Sequence, residues 1–335
     1  MSERIAILGA GSWGMAVAHL LDSNGHQVRL WEFDAAECRR LKSLRGIPEK
    51  LKDVQLAPSI EITNELALAV EDNDLIVLAV PAQTVRSVLK SVRPLIDSST
   101  CLVNLSKGIE AGTVKRVSEI ITEETTLPLK NVVALSGPSH AEEVVRDMPT
   151  TVVAAGTSER YVERTQKLFS NNSFRVYKSN DLVGVELGGA LKNIIAIAAG
   201  ICDGLSFGDN TKGALITRGL AEMVRLGQAL GAQPETFAGL SGLGDLVTTC
   251  ISRHSRNRHV GERIALGEKT PEILARLGMV AEGVETTRSG YQLALQHDVE
   301  MPITTEVYRV LFEDKPAAVA LGDLMDRTLK AEIWQ

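Results

Sequence analysis

Two rhythms of apolar and polar positions divide the 335-residue chain, and the change from one to the other is its first informative feature. Arg4–Leu8 is a short apolar run closed by Gly9, and Ser12–Ser23 then carries small and apolar residues at helical spacing, a strand–turn–helix pattern. The pattern repeats with Gln27–Trp31 as strand, Ala35–Leu44 as helix, Leu75–Val80 as a buried strand ended by Pro81, and Gln83–Val92 as helix. Thr100–Leu105 and Asn131–Leu135 follow as further strands. Strands that alternate with helices pair in parallel through right-handed crossovers, so the expected fold is α/β, with an N-terminal Rossmann-like doubly wound sheet.

Beyond about Asn180 the strand signals vanish. Val183–Cys202, Thr211–Leu230, Gly283–Gln296 and Thr304–Phe312 all carry the helical period, which predicts an all-α C-terminal domain. The expected division is residues 1–180 and 181–335, two units packed around a shared cleft, in keeping with a length beyond that of one ordinary core.

Composition narrows the function. A net charge of −6 argues against general nucleic-acid binding, which needs a surplus of Lys and Arg, so any anion must be held by a local basic cluster. Cys38, Cys101, Cys202 and Cys250 show no paired spacing, so no metal site or disulfide framework is expected, and a reducing, cytoplasmic setting fits. The uninterrupted apolar run Ile194–Cys202 is far short of the ~20 residues that span a bilayer, so no stable membrane insertion is expected.

Gly9-Ala-Gly11-Ser12-Trp13-Gly14 is a GxGxxG that follows a strand and opens a helix, with an acid, Glu32, at the end of the second strand. That context makes it a dinucleotide turn: Gly9 permits the bend, Gly11 lets backbone approach a pyrophosphate, Gly14 lets helix pack on strand, and the N–H groups near Ser12 and Trp13 face the anion. Glu32 can accept a bond from a ribose 2′-hydroxyl but repels a 2′-phosphate; Asp34 strengthens the lean to NAD over NADP, while Arg39 and Arg40 could offset it.

Between Glu186 and Asp203 the sole charged side chain is Lys192. Gly188, Gly189, Ala196 and Ala199 share its stripe of the helix, so a ligand can come close to the ammonium. An isolated buried ammonium is costly unless it is paired or functional, and one placed beside a carbonyl can deliver the proton as the carbon takes a hydride. Asp245, at the start of a short helix with Thr249 on the same face, is the expected partner.

Arg253 to His259 is the densest basic stretch, with Ser255 placed as an N-cap, so Arg256, Asn257 and a helix N-terminus would converge on a phosphate. Lys107 and the Ser136–Glu142 loop lie at the carboxyl ends of expected strands, where such sheets bind ligands. Ser139 and Glu142 have the spacing of a capping box. For His140, His254 and His259 no spaced partner supports a proton-donor role, and Met279–Glu285 reads as a turn into a helix.

Together, Gly9–Gly14, Ser106–Glu110, Ser136–Glu142, Gly184–Asn193, Ser255–Asn257 and Met301–Thr304 closely resemble the bacterial NAD(P)-dependent glycerol-3-phosphate dehydrogenases. The resemblance implies reversible reduction of dihydroxyacetone phosphate to sn-glycerol 3-phosphate, feeding phospholipid synthesis, with NAD(H) or NADP(H) as cofactor. It implies Lys192 as general acid/base, and substrate contacts from Lys107, Gly137, Ser139, Asp245, Ser255, Arg256 and Asn257. It places Ser12, Trp13, Lys107, Ala141, Arg256, Val280 and Glu282 around the dinucleotide. Relatives often carry a basic or histidine pair where this chain has Phe33 and Asp34, and commonly a tyrosine where it has Lys50, and the first difference adds to the lean toward NAD. A homodimer is compatible with this reading. The rivals are a two-domain dehydrogenase of a hydroxy acid or sugar acid, which would not need the Ser255–Asn257 cluster, and a dinucleotide sensor without turnover.

Overall fold

The structure is a computed structural model and describes residues 2–52, 54–329 and 331–332. Eight strands form one sheet: β1 (Arg4–Leu8), β2 (Gln27–Trp31), β3 (Glu61–Thr63), β4 (Leu75–Leu78), β5 (Cys101–Asn104), β6 (Val132–Ser136), β7 (Thr150–Ala155) and β8 (Phe174–Ser179). Their order is β3-β2-β1-β4-β5-β6-β7-β8, so the chain reverses its direction of winding beside β1. The helices of this half are α1 (Ser12–Ser23), α2 (Ala35–Leu44), α3 (Leu66–Val70), α4 (Val85–Val92), α5 (Val117–Thr125), α6 (Ala141–Val144) and α7 (Glu159–Phe169). The inner strands are buried on both faces, which is why β4, Ile5–Leu8 of β1 and Cys101–Val103 of β5 read as unbroken apolar runs.

The expectation of uniformly parallel pairing is corrected at one place: β7 runs antiparallel to β6, and β8 then pairs parallel with β7. Three strands also escaped the pattern. β3 is only three residues long, and β8 alternates buried Phe174 and Val176 with exposed Arg175 and Tyr177, as an edge strand facing water on one side does. β7 begins directly after Pro149 and has no helix between itself and β6 longer than the single turn α6.

The second half is helical: α8 (Leu182–Gly204), α9 (Asp209–Ala229), α10 (Pro234–Phe237), α11 (Asp245–Ile251), α12 (Arg256–Ala265), α13 (Thr270–Leu277), α14 (Glu282–Gln296), α15 (Pro302–Phe312) and α16 (Ala317–Met325). α8 is the axis on which α9, α11, α12, α14 and α15 pack. It is long and apolar enough to cross a membrane by length and composition, although its longest uninterrupted apolar run is short, and 89% of its most apolar stretch is buried inside the protein. The Asp181 side chain caps its start by accepting from the Gly184 N–H at 2.8 Å.

Two devices position α8. Where it crosses α12, a Cβ at Gly200 would collide with the Arg258 carbonyl, and one at Gly261 with the Ile197 carbonyl, so the backbones touch. Against the sheet half, the buried Glu186 carboxylate accepts from the Ser118 N–H at 2.8 Å, the Ser118 hydroxyl at 2.5 Å and the Arg116 guanidinium at 2.8 Å. The helix that carries Lys192 is therefore fixed to both halves of the molecule.

Candidate active site

A cleft of about 720 Å³ opens between the carboxyl ends of the strands and the helical half. At one end lies the glycine turn. Gly9 has φ +114°, and a Cβ there would press on the Ala79 carbonyl at 2.7 Å, while one at Gly14 would strike the Gly9 carbonyl. At Gly11 an added Cβ would meet no protein atom within 4 Å. The turn is thus closed on its protein side and open toward the cleft, as a pyrophosphate requires.

Ser12 and Trp13 line the cleft beside this turn; the Ser12 hydroxyl donates to the Lys50 carbonyl at 2.6 Å, and the indole N–H of Trp13 is buried without a partner. Glu32 and Phe33 border the outer end, with Phe33 78% exposed. The Asp34 carboxylate is turned away to cap α2, accepting from the Glu37 N–H at 2.7 Å. Asp34 therefore caps the helix and does not itself line the cleft beside Glu32.

At the inner end, Lys192 is 5% exposed and Asp245 2%. The Lys192 ammonium donates to Asp245 Oδ1 and to Thr249 Oγ1, each at 2.6 Å. Lys107 reaches the other carboxylate oxygen at 2.7 Å and the Gly137 carbonyl at 2.9 Å. Two ammonium groups therefore share one carboxylate. Burial pushes Asp245 up, but the two ammonium charges win and hold it below its ordinary value. Burial brings Lys192 down to about 8, with Asp245 opposing the fall and Lys107 adding to it.

The expected Asp245 partnership is present, because Asp245 and Thr249 stand one helical turn apart on α11. The grip of Lys107 on Asp245, across 138 residues, carried no sequence signal. Nor did the chain in which the Asn193 amide donates to the Lys107 carbonyl at 3.3 Å, Asn257 donates to Asn193 Oδ1 at 2.9 Å, and Asn257 Oδ1 accepts from the Gly283 N–H at 2.9 Å. These bonds lock the start of α12 to the middle of α8.

Ser255 caps α12, its hydroxyl accepting from the Arg258 N–H at 3.2 Å, and Arg256 stands in the first turn, exposed to the cleft. Gly137, at φ +140°, has no room for a Cβ because Val152 Cα would lie 2.9 Å away. The capping box expected of Ser139 and Glu142 does not form: the Ser139 hydroxyl donates instead to the Gly137 carbonyl at 2.9 Å, and α6 starts only at Ala141. Ala141 and Val280 line the cleft. Glu282 opens α14 and accepts from the Ala82 N–H at 2.9 Å, with its second oxygen buried and unpartnered; burial raises it to about 7 against the pull of that N–H and of Arg256. His140 also lines the cleft, and burial, with the Lys192 ammonium next, brings it down to about 4, so the ring is neutral at physiological pH.

Comparison with known proteins agrees with this geometry. A family model described as NAD-dependent glycerol-3-phosphate dehydrogenase N-terminus matches residues 4–162, and the corresponding C-terminus model matches residues 181–322. The chain is 50% identical to the glycerol-3-phosphate dehydrogenase [NAD(P)+] of Geobacter sulfurreducens over 100% of both chains. It is 51% identical to that of Geobacillus thermodenitrificans, covering 99% of this chain and 97% of the relative. The crystal structure of glycerol-3-phosphate dehydrogenase from Coxiella burnetii superposes with a TM-score of 0.93 at 37% identity, covering 97% of this chain and 99% of that one. With both halves matched, and the glycine turn and buried lysine sharing one cleft, the chain belongs to the NAD-dependent glycerol-3-phosphate dehydrogenase family.

Proposed function

We propose that the chain catalyses the reversible reduction of dihydroxyacetone phosphate to sn-glycerol 3-phosphate, with Lys192 as the general acid/base. The observation that carries this reading is the cluster of Lys192, Asp245 and Lys107 opening into the cleft that also contains the glycine turn and Arg256.

The dinucleotide, when bound, supplies the hydride that reduces the carbonyl carbon. The N–H groups around Gly11–Trp13 would hold its pyrophosphate, and Glu32 its adenine ribose. Arg256, Asn257 and the N-terminus of α12 would seat the substrate phosphate, where three charge-assisted hydrogen bonds near the top of the ~1.5–3 kcal/mol range reach the ~8 kcal/mol of micromolar recognition. Two of the three N–H bonds of Lys192 are committed to Asp245 and Thr249. The third has no partner among the described residues and can meet the substrate oxygen, to which the ammonium transfers a proton as the carbon is reduced. In the reverse direction neutral Lys192 takes the hydroxyl proton. With Lys107 present, the cluster bears one net positive charge, which favours the developing alkoxide.

A hydroxy-acid dehydrogenase would need no second cationic seat at Ser255–Asn257, and a sensor would need no ammonium brought down toward neutrality. Four buried, unpaired thiols support the cytoplasm as the working compartment. The test is the loss of reduced-nicotinamide absorbance on adding dihydroxyacetone phosphate, run beside a 2-keto acid. Oxidation that depends on the phosphate ester is expected; oxidation with the keto acid alone would refute the assignment.

A further inference from the structure

We propose that Lys50 is the residue through which this chain accepts the 2′-phosphate of NADPH, so that the adenosine end of the cleft takes both dinucleotides. The inference rests on the dinucleotide reading of the glycine turn and extends it to a residue of this chain's own.

Glu32, taken alone, would reserve the site for NADH, because a carboxylate at the end of β2 repels a 2′-phosphate. In the structure it does not stand alone. Its Oε1 accepts from the Asp34 N–H at 3.1 Å, and its Oε2 lies 3.5 Å from the Lys50 ammonium. Lys50 is held in place by its backbone: its N–H donates to the Ile47 carbonyl at 2.9 Å, and its carbonyl accepts from the hydroxyl of Ser12, the first residue of α1. The loop is thereby tied to the pyrophosphate turn, and the ammonium is brought to the ribose end of the same cleft.

The ammonium is also loosely paired. It lies 3.5 Å from Glu32 and 3.5 Å from Glu37, within ion-pair range but longer than the ~2.7–2.9 Å of a close charge-assisted hydrogen bond. Its three donors can therefore turn to a stronger acceptor. Of the two nearby arginines that the sequence offered, Arg40 is spent on Glu49 at 2.6 and 2.7 Å, and Arg39 does not line the cleft. Of the remaining cations lining the cleft among the described residues, Lys107 and Lys192 are bound to Asp245, and Arg256 belongs to the far wall near Glu282. Lys50 is thus the cation placed to meet a 2′-phosphate. With NADH it stays beside Glu32, which accepts the 2′-hydroxyl; with NADPH it moves onto the phosphate and offsets the repulsion by Glu32.

The test is binding without turnover. NADH and NADPH are titrated against the full chain by their fluorescence, and adenosine 2′,5′-bisphosphate and adenosine 5′-monophosphate are used to displace bound NADH. Lys50→Ala is expected to lower affinity for NADPH and for the bisphosphate by roughly 10- to 100-fold, the scale of one lost charge-assisted hydrogen bond, with NADH and the monophosphate nearly unaffected. Lys50→Arg should keep NADPH binding, and Glu32→Gln should favour NADPH over NADH. Equal loss of both dinucleotides in Lys50→Ala would reduce Lys50 to a loop support and overturn the proposal, as would unchanged NADPH affinity. A wild-type chain that binds NADH but not NADPH would defeat the inference while leaving the dinucleotide reading intact; one that binds neither would sink both.

Discussion

The ammonium of Lys192 and the carboxylate of Asp245 meet at 2.6 Å in a part of the cleft where neither is more than 5% exposed. Burial disfavours the ammonium and brings Lys192 down to about 8, against the pull of Asp245. A general acid must carry its proton, so kcat/KM for ketone reduction should fall as pH rises through about 8, and that for alcohol oxidation should rise through the same region. In Asp245→Asn the opposing charge is gone, and the alkaline limb should move to lower pH. A limb at the ~10.4 of a free lysine would show that the titrating group is elsewhere.

Replacing the lysine separates binding from chemistry. Lys192→Ala should keep dinucleotide affinity, measured by fluorescence titration, yet lose turnover by at least ~10²-fold, the usual contribution of a general acid. Turnover at the wild-type rate would remove Lys192 from the mechanism.

The phosphate seat is expected to respond differently. Arg256→Ala should raise the KM for dihydroxyacetone phosphate by roughly 10- to 100-fold and change kcat much less, because the interaction persists from ground state to transition state. Ser255→Ala, which removes the hydroxyl accepting from the Arg258 N–H, should cost about 1 kcal/mol of stability in denaturant unfolding. If KM is indifferent to Arg256, the substrate's phosphate sits somewhere else.

Two glycine-to-alanine exchanges should have opposite signs. At Gly261 a methyl would strike the Ile197 carbonyl and lie 2.8 Å from the Ile201 nitrogen, so α12 must move off α8. A loss of ~1–3 kcal/mol is expected, with a raised substrate KM because Ser255–Asn257 travel with α12. At Gly213, inside α9, a methyl meets nothing within 4 Å, and the loss of unfolded-state freedom should stabilise the chain by ~0.4–1 kcal/mol. Melting curves of the two variants decide the matter; equal shifts would mean that the α8–α12 crossing is not tight.

The parts legible in the sequence are those whose cause is local. The turn at Gly9–Gly14 follows from neighbouring residues, and Lys192 stood out because nothing else between Glu186 and Asp203 carries charge. The Asp245–Thr249 face follows from helical spacing. What remained hidden depends on residues far apart in the chain. The clasp of Lys107 on Asp245, the Asn193–Asn257–Gly283 chain and the approach of Lys50 to Glu32 arise only once the halves are packed. The reversal at β7 was hidden for another reason, since alternation of strand and helix reports crossovers and is silent on a strand that returns after a single turn of helix.

α8 has a consequence for biosynthesis as well as for chemistry. The helices that cover it, from α9 to α15, all follow it in the chain, so a ribosome releases this oily segment before the later of them exist. The sheet strands precede it and can pair while α8 waits. Until α12, α14 and α15 arrive, the nascent polypeptide displays a stretch that aggregation, a chaperone or a lipid surface can capture. Truncations that end before α14 should therefore accumulate as insoluble or chaperone-bound protein.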